Sequence, residues 1–329
     1  MPDVSLKRHL LLRFVDAVAC LPVALAAVVM KLVRRLIRKY GRAPLPCIDR
    51  VLSGVGVFPV LDHYYEPAFT VEALAHRHRP RLLPGIRLDG DQQLGWLGRF
   101  DVLPELLALP CAPVACRPND FYHHNGAFEA ADAEFFYSLL RTIKPRRLFE
   151  IGAGHSTRLA RLALARNRQD DPTYCCRHLC VEPFENDWLS QLGVELVRTP
   201  VEELPAHYFD QLSDGDILFI DSSHMIRPGG DVVCEYLEIL PRLNQGVFVH
   251  VHDVFTPADY PASWLDNEVR FWNEQYLLEA FLSMNPHFTV VAALSWLSQV
   301  HPGKLAEKFP VYARLGAAST PGSFWFRRV

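Results

Sequence analysis

The sequence holds eight cysteines in 329 residues, yet no two stand at the two-residue spacing of a zinc or redox pair. In a chain this long they do not make a disulfide framework either. Cys175, Cys176 and Cys180 sit in a strand-like stretch, YCCRHLCVE, where small buried hydrophobes in a reducing cytosol are the expectation. Charge of one sign is lacking too: the net of −3 gives nucleic acid no handle. There is no internal repeat and no low-complexity tract. No Tyr-x-x-x-Lys pair of the kind an oxidoreductase or epimerase would use is present.

Charge is present, but unevenly placed. Residues 1–42 carry a net of +7, so the remainder carries −10. The run from 10 to 42 is apolar and then basic, ending KLVRRLIRKYGR. Its uncharged core, Ala17–Met30, has 14 residues, against the roughly 20 that a spanning helix wants. Asp16 and Pro22 weaken a span further, and the basic run is a poor setting for leader cleavage. The expectation is a helix lying on an anionic membrane at the cytoplasmic face. Packing on the body or on a second subunit is the alternative.

Residues 43–118 are rich in Pro and Leu. Short helical pieces at 71–78 (VEALAHRH), 93–100 (QLGWLGRF) and 102–109 (VLPELLAL) predict an irregular helical cap. From 119 the pattern becomes regular. Helices are expected at 129–143, 155–167, 186–193, 231–243 and 269–284, and strands at 146–152, 178–184, 194–199, 216–223, 246–253, 288–294 and 323–329. Alternation of the two predicts an α/β fold, a mostly parallel sheet with helices on both faces. The last two strands lack a full crossover helix between them, which predicts an antiparallel final strand.

Three motifs carry chemistry. In FEIGAGHSTRLA a buried strand ends at Gly152, and Gly154 precedes a helix starting near Ser156. The glycines allow a tight turn close to a ligand, and the helix offers free N–H groups. Thr157 stands where the dinucleotide fingerprint wants a third glycine. Glu182 ends the next strand, where an acid accepts both ribose hydroxyls of a nucleoside. FIDSSHMIRPGGD places Asp221 at a third strand tip with His224 just beyond. A fourth stretch, FVHVHDVF, reads as a buried strand holding His250, His252 and Asp253. His250 is deep and is expected as a hydrogen-bonded core histidine. His252 and Asp253 reach the ligand-binding edge, with Asp253 pointing away from His252 unless the strand has already ended. After it come Phe255, Tyr260, Trp264, Phe271, Trp272 and Tyr276, of which Tyr260 and Trp264, in a loop, are the substrate candidates.

With these motifs the chain resembles class I S-adenosylmethionine-dependent methyltransferases over about 118–329. It looks most like bacterial small-molecule O-methyltransferases, which carry F-I-D-x-x-H, a P-G-G-like turn and a strand ending in H-D or D-D. The resemblance implies a Rossmann-like seven-stranded sheet with its last strand antiparallel. It implies S-adenosylmethionine as cofactor, with Glu150, Gly152, Gly154 and Ser156 on the methionine side, Glu182 on the ribose, and Glu202 near adenine. Asp221 would lie near the reacting centre, and 121–129 (FYHHNGAFE) would touch cofactor or substrate. O-methyl transfer needs an aligned hydroxyl and a way to remove its proton. His252, Asp253 and His224 are the catalytic candidates. Some relatives hold Mg²⁺ there, and the matching positions are Asp221 and Asp253; a histidine in the set would suit a transition metal better. The acceptor expected is a hydroxyl on a sugar, glycolipid or secondary metabolite. An NAD(P)-dependent oxidoreductase or epimerase and a non-catalytic binding module are the alternatives. A homo-oligomer is open.

Overall fold

The computed structural model describes residues 3–61, 65–67, 80–184, 187–266, 268, 270–316 and 319–329, with side chains from residue 8 onward. The chain divides into two compact units, Met1–Ala75 and His76–Val329, so the cap expected over 43–118 is shared between them. The helical piece expected at 71–78 lies outside the described residues.

The first unit holds α1 (Asp3–Tyr40) and α2 (Pro46–Val55). Pro22 lies inside α1 without ending it; the ring removes one helical hydrogen bond, and the remaining turns carry the helix through. At the basic end, the Arg34 guanidinium forks onto Glu66 at 2.9 and 2.8 Å and lies over the Phe58 ring.

In the second unit α3 (Gly90–Gly98), α4 (Leu103–Ala108) and α5 (Ala130–Ile143) precede the sheet. Then come β1 (Arg147–Ile151), α6 (His155–Asp170), β2 (Arg177–Val181), β3 (Glu195–Val197), β4 (Ile217–Ile220), α7 (Asp231–Cys234, running on through a π-helical turn), β5 (Phe248–Val251), α8 (Ala262–Asp266) and α9 (Glu274–Leu282). The chain closes with β6 (Phe288–Ala293), three short helices, α10 (Leu294–Val300), α11 (Pro302–Lys308) and α12 (Pro310–Leu315), and β7 (Phe324–Arg328). The seven strands lie in the order β3-β2-β1-β4-β5-β7-β6. β1 to β5 are parallel, and β7 inserts antiparallel between β5 and β6. The expected α/β sheet with its antiparallel last strand is therefore found.

Strand parity sorts the core. Ile217 and Phe219 of β4 face a cluster built with α5 and α6, and Leu218 and Ile220 face a second cluster with α7 and α9. Both faces are covered, which is why these strands read as unbroken apolar runs. His250 faces the α5 side, as an expected core histidine would. Its ring stacks on Phe219 at 3.8 Å between centroids, and its Nε2 meets the Ser323 hydroxyl at 2.9 Å. On α5, buried Asp132 accepts the N–H groups of Gly322 and Ser323 at 2.9 and 2.8 Å, which ties the start of β7 to that helix.

Three expectations fail locally. The segment 186–193 forms only a 3₁₀ turn, Asp187–Leu192. Cys175 is exposed, because β2 begins two residues later; Cys180 is buried as expected. The helix expected from 269 begins at Glu274. The N–H groups of Asn273 and Glu274 both donate to the His224 carbonyl, so a distant loop sets that helix start.

Two positions tie fold to stability. Gly152 has φ +83, and a Cβ there would stand 2.0 Å from the Asp221 carbonyl oxygen, which is backbone and cannot swing aside. Gly152→Ala is expected to lower unfolding stability by at least about 2 kcal/mol in urea titration. His123 is fully buried with both ring nitrogens unpartnered, and burial lowers its pKa to about 4. The folded value lies below the unfolded one, so its contribution is complete above pH 6.5 and is lost as pH falls toward 4. That is about 3 kcal/mol at full extent, and His123→Leu is expected to flatten this part of the acid unfolding curve.

Candidate active site

The turn after β1 is set by close packing. Gly152 N–H donates to Val181 O at 3.0 Å and Asp221 N–H to Ile151 O at 2.9 Å, so the tips of β1, β2 and β4 meet there. A Cβ on Gly154 would meet nothing within 4 Å, so its outer side is open. Glu150 and Ser156 do not line this opening. Glu150 points to the α6 side, where one oxygen accepts the hydroxyls of Ser156 and Thr157 (3.0 and 3.1 Å) and the other meets the ring of His178. Both were expected beside the methionine part of a cofactor. Side-chain parity along β1 buries Glu150 beneath the turn instead, and Ser156 is turned inward to reach it.

Glu182 is held differently. Its two carboxylate oxygens accept the N–H groups of Ala153 (3.2 Å) and Phe184 (2.9 Å). The carboxylate is therefore fixed at the mouth of a cavity of 220 Å³, which Gly152, Glu182, Val201, Glu202 and Asp221 help to line. Four residues expected to serve a cofactor thus share one cavity.

Asp221 reaches from this cavity toward His224. His224 lies in the left-handed region (φ +60), as does Asp253 (φ +56). Two non-glycine residues in that region at one site hold backbone strain. Asp253 adopts it because β5 ends at Val251, so it turns to the same edge as His252 and does not point away. His224 Nε2 stands 3.4 Å from Asp221 Oδ1 and 3.6 Å from Asp253 Oδ2, and its Nδ1 is 2.8 Å from Glu274 Oε2. Trp272 lies against the same ring at 4.4 Å.

The charges follow from these contacts. Burial works against a charged His224, but Asp221 and Glu274 outweigh it and raise its pKa well above the usual imidazole value. Burial would lift Asp221, but the charges of His252 and His224 hold it below the usual carboxylate range. For His252 burial is again opposed, by Asp253, Asp221 and Asp132, with a net rise. His250 is driven the other way by burial and by the neighbouring His252, which keeps it neutral.

A second cavity, of 310 Å³, opens beyond Asp253. Glu129, Asp132, His252, Asp253 and Trp264 help to line it, and among the described residues no lysine or arginine does. Trp264 lines this cavity, with Phe255 and Trp272 edge-on to it and Arg270 lying over both indole rings. Tyr260, its fellow candidate, is buried; its hydroxyl accepts the Gln275 N–H at 3.2 Å, so it braces the loop and does not face the cavity. Sequence reading missed Asp132 and Glu274 as site residues and preferred Tyr260 and Trp264 to Trp272 among the aromatics. An acid in the first turn of its helix was the available signal for the first two.

Asp221, His224 and Asp253 also offer two oxygens and one nitrogen within 4.8 Å of one another. By donor type that set fits a divalent ion with some affinity for nitrogen, and Glu274 stands behind the imidazole as carboxylates do behind metal-bound histidines. A second cluster, Glu150, His178 and Cys180, is closed and hydrogen-bonded to itself.

Residues 149–254 match the family model of a methyltransferase domain. Among curated proteins, one from Archaeoglobus fulgidus described as uncharacterized is 25% identical over 182 residues, which is 52% of this chain and 79% of its own length. Among solved structures, the apo form of CalS11, a TDP-rhamnose 3'-O-methyltransferase of calicheamicin biosynthesis, is 15% identical; the match covers 75% of this chain and 99% of that one, with a TM-score of 0.40. An uncharacterized protein from Burkholderia thailandensis is 11% identical over 74% of this chain and 95% of its own, with a TM-score of 0.32. Over residues 149–254 the chain is similar to a methyltransferase domain, which agrees with the methyltransferase resemblance of its motifs.

Proposed function

We propose that the protein is an S-adenosylmethionine-dependent O-methyltransferase acting on a neutral, hydroxyl-rich acceptor such as a sugar or glycoside. One observation carries the reading. Two cavities open on either side of the Asp221–His224–Asp253 group, and each cavity is lined by one of its carboxylates. That is the arrangement needed to present a methyl donor and an acceptor to each other from opposite sides.

S-adenosylmethionine, when bound, supplies a methyl group on a sulfonium. Glu182, already locked by two backbone N–H groups, accepts hydrogen bonds from the ribose hydroxyls; Glu202 borders the base. A cavity of 220 Å³ is smaller than a site for a whole ligand. It would hold the nucleoside end, and the open side of Gly154 would leave room for the amino-acid end. Asp221 would offer negative charge to a bound sulfonium.

On the acceptor side, Trp264 offers a flat apolar wall and Glu129, Asp132 and Asp253 offer hydrogen-bond acceptors, a lining suited to hydroxyl groups and unfavourable to phosphates or carboxylates. His252 takes the hydroxyl proton. The imidazolium that results is stabilised by Asp253, Asp221 and Asp132, the carboxylates that raise its basicity. His224 positions Asp221 and Asp253 between the two cavities. A divalent ion on Asp221, His224 and Asp253 would supply a lower pKa for an acceptor hydroxyl. These three residues would hold it.

Calorimetry is expected to show S-adenosylhomocysteine binding and no binding of NAD(H); the reverse result sinks the reading. Glu182→Ala should weaken that binding by about 10–100-fold, the scale of lost hydrogen bonds to a charged group. With labelled cofactor and a panel of hydroxylated acceptors, His252→Ala is expected to slow transfer by about 10²–10⁴-fold and to leave S-adenosylhomocysteine affinity unchanged. Full activity in that variant would remove His252 from the mechanism.

A further inference from the structure

We propose that residues 10–30 of α1 span a lipid bilayer, with the basic run that follows seated among the anionic headgroups of its cytoplasmic face.

The first observation is exposure without direction. Leu10, Leu11 and Leu12 are 57%, 61% and 59% exposed. Successive helical positions point about 100° apart, so these three sample the whole circumference. The same holds further along: Phe14, Val15, Val18, Leu21, Leu25 and Val28 are all exposed. A helix apolar all round belongs inside something apolar, whereas a helix lying on a membrane needs a polar face. Between 10 and 30 the only charged residues are Arg13 and Asp16. They stand at i and i+3, where each offsets the other, and close enough to one end for Arg13 to reach the interface.

The second observation is length. The helix is unbroken from Asp3 to Tyr40, with Pro22 inside it. The 21 residues from 10 to 30 rise about 31 Å at 1.5 Å each, and a bilayer's hydrocarbon core is about 30 Å thick. The 14-residue uncharged core that argued against a span omitted the apolar turn before Arg13, whose place in the same helix only the continuous structure shows.

The third observation is charge. Lys31, Arg34, Arg35, Arg38, Lys39 and Arg42 follow the apolar stretch, against Lys7 and Arg8 before it. A positive excess on one flank marks the cytoplasmic side and adds attraction to anionic lipid. Among the described residues of the first unit, packing begins at this flank, where Arg34 meets Glu66 and Phe58 and Arg38 lies over Tyr65. Among the same residues, none covers the exposed apolar side chains before it.

The test uses the full chain with different tags at its two ends, expressed in bacteria. Membranes are washed with alkaline carbonate, which strips peripheral proteins, and then floated on a density gradient. The expected result is that the chain floats with the bilayers, both tags present, and that protease added to intact spheroplasts spares the C-terminal tag. The double variant Val23→Arg, Ala26→Arg should leave the membrane fraction while binding S-adenosylhomocysteine as the parent does. Release by carbonate would overturn the proposal in favour of a surface helix or a protein partner. Loss of the N-terminal tag by cleavage would overturn it in favour of a leader. Pelleting without flotation would overturn it in favour of aggregation through the bare helix.

Discussion

His224 is the residue on which the site's geometry hangs. Its carbonyl accepts the N–H groups of Asn273 and Glu274, so the loop after β4 fixes where α9 begins. Its imidazole then meets the side chain of Glu274, the first residue of α9, and approaches the carboxylates at the tips of β4 and β5. To do both it holds a left-handed backbone conformation that L-residues rarely adopt. Strain of this kind persists only where the surroundings over-determine it. Here the surroundings are a helix start, two strand tips and the Trp272 ring.

From that anchor the electrostatics follow. Buried imidazoles ordinarily lose their charge, as His123 and His250 do. His224 and His252 are raised because carboxylates surround them. Three histidines at two neighbouring strand ends thus have pKa values shifted in opposite directions. Exposure does not set the difference, since all three are buried; Asp221 and Glu274 raise His224, and Asp253, Asp221 and Asp132 raise His252.

Much of the fold was legible in the sequence. Apolar runs of four to six residues bounded by turn residues located the strands of the sheet; the lack of one full crossover helix pointed to the antiparallel β7, and three short helices fill that stretch. The site was legible where chemistry sits at a strand tip: Gly152, Glu182, Asp221, His252 and Asp253 all stand at one edge because parallel strands end there together. It was illegible where a contact is long-range. Glu274 is one acid in an amphipathic helix until the His224 loop is laid against it, 50 residues away. Tyr260 looks like a loop aromatic until Gln275 donates to its hydroxyl. Glu150 sits in the motif as a ligand-facing acid would, yet strand parity turns it beneath the turn.

By itself, then, the sequence determined periodicity: which segments form strands, which edge gathers the polar residues, and that the chain starts with an apolar helix followed by a basic run. These are properties of neighbours along the chain, set by side-chain alternation and local backbone preference. Only the tertiary structure decided which of the gathered groups face a cavity, which brace one another, and in which direction each histidine's pKa moves. Those depend on burial and on partners brought together by folding, and a pKa or a cavity wall has no counterpart in local sequence.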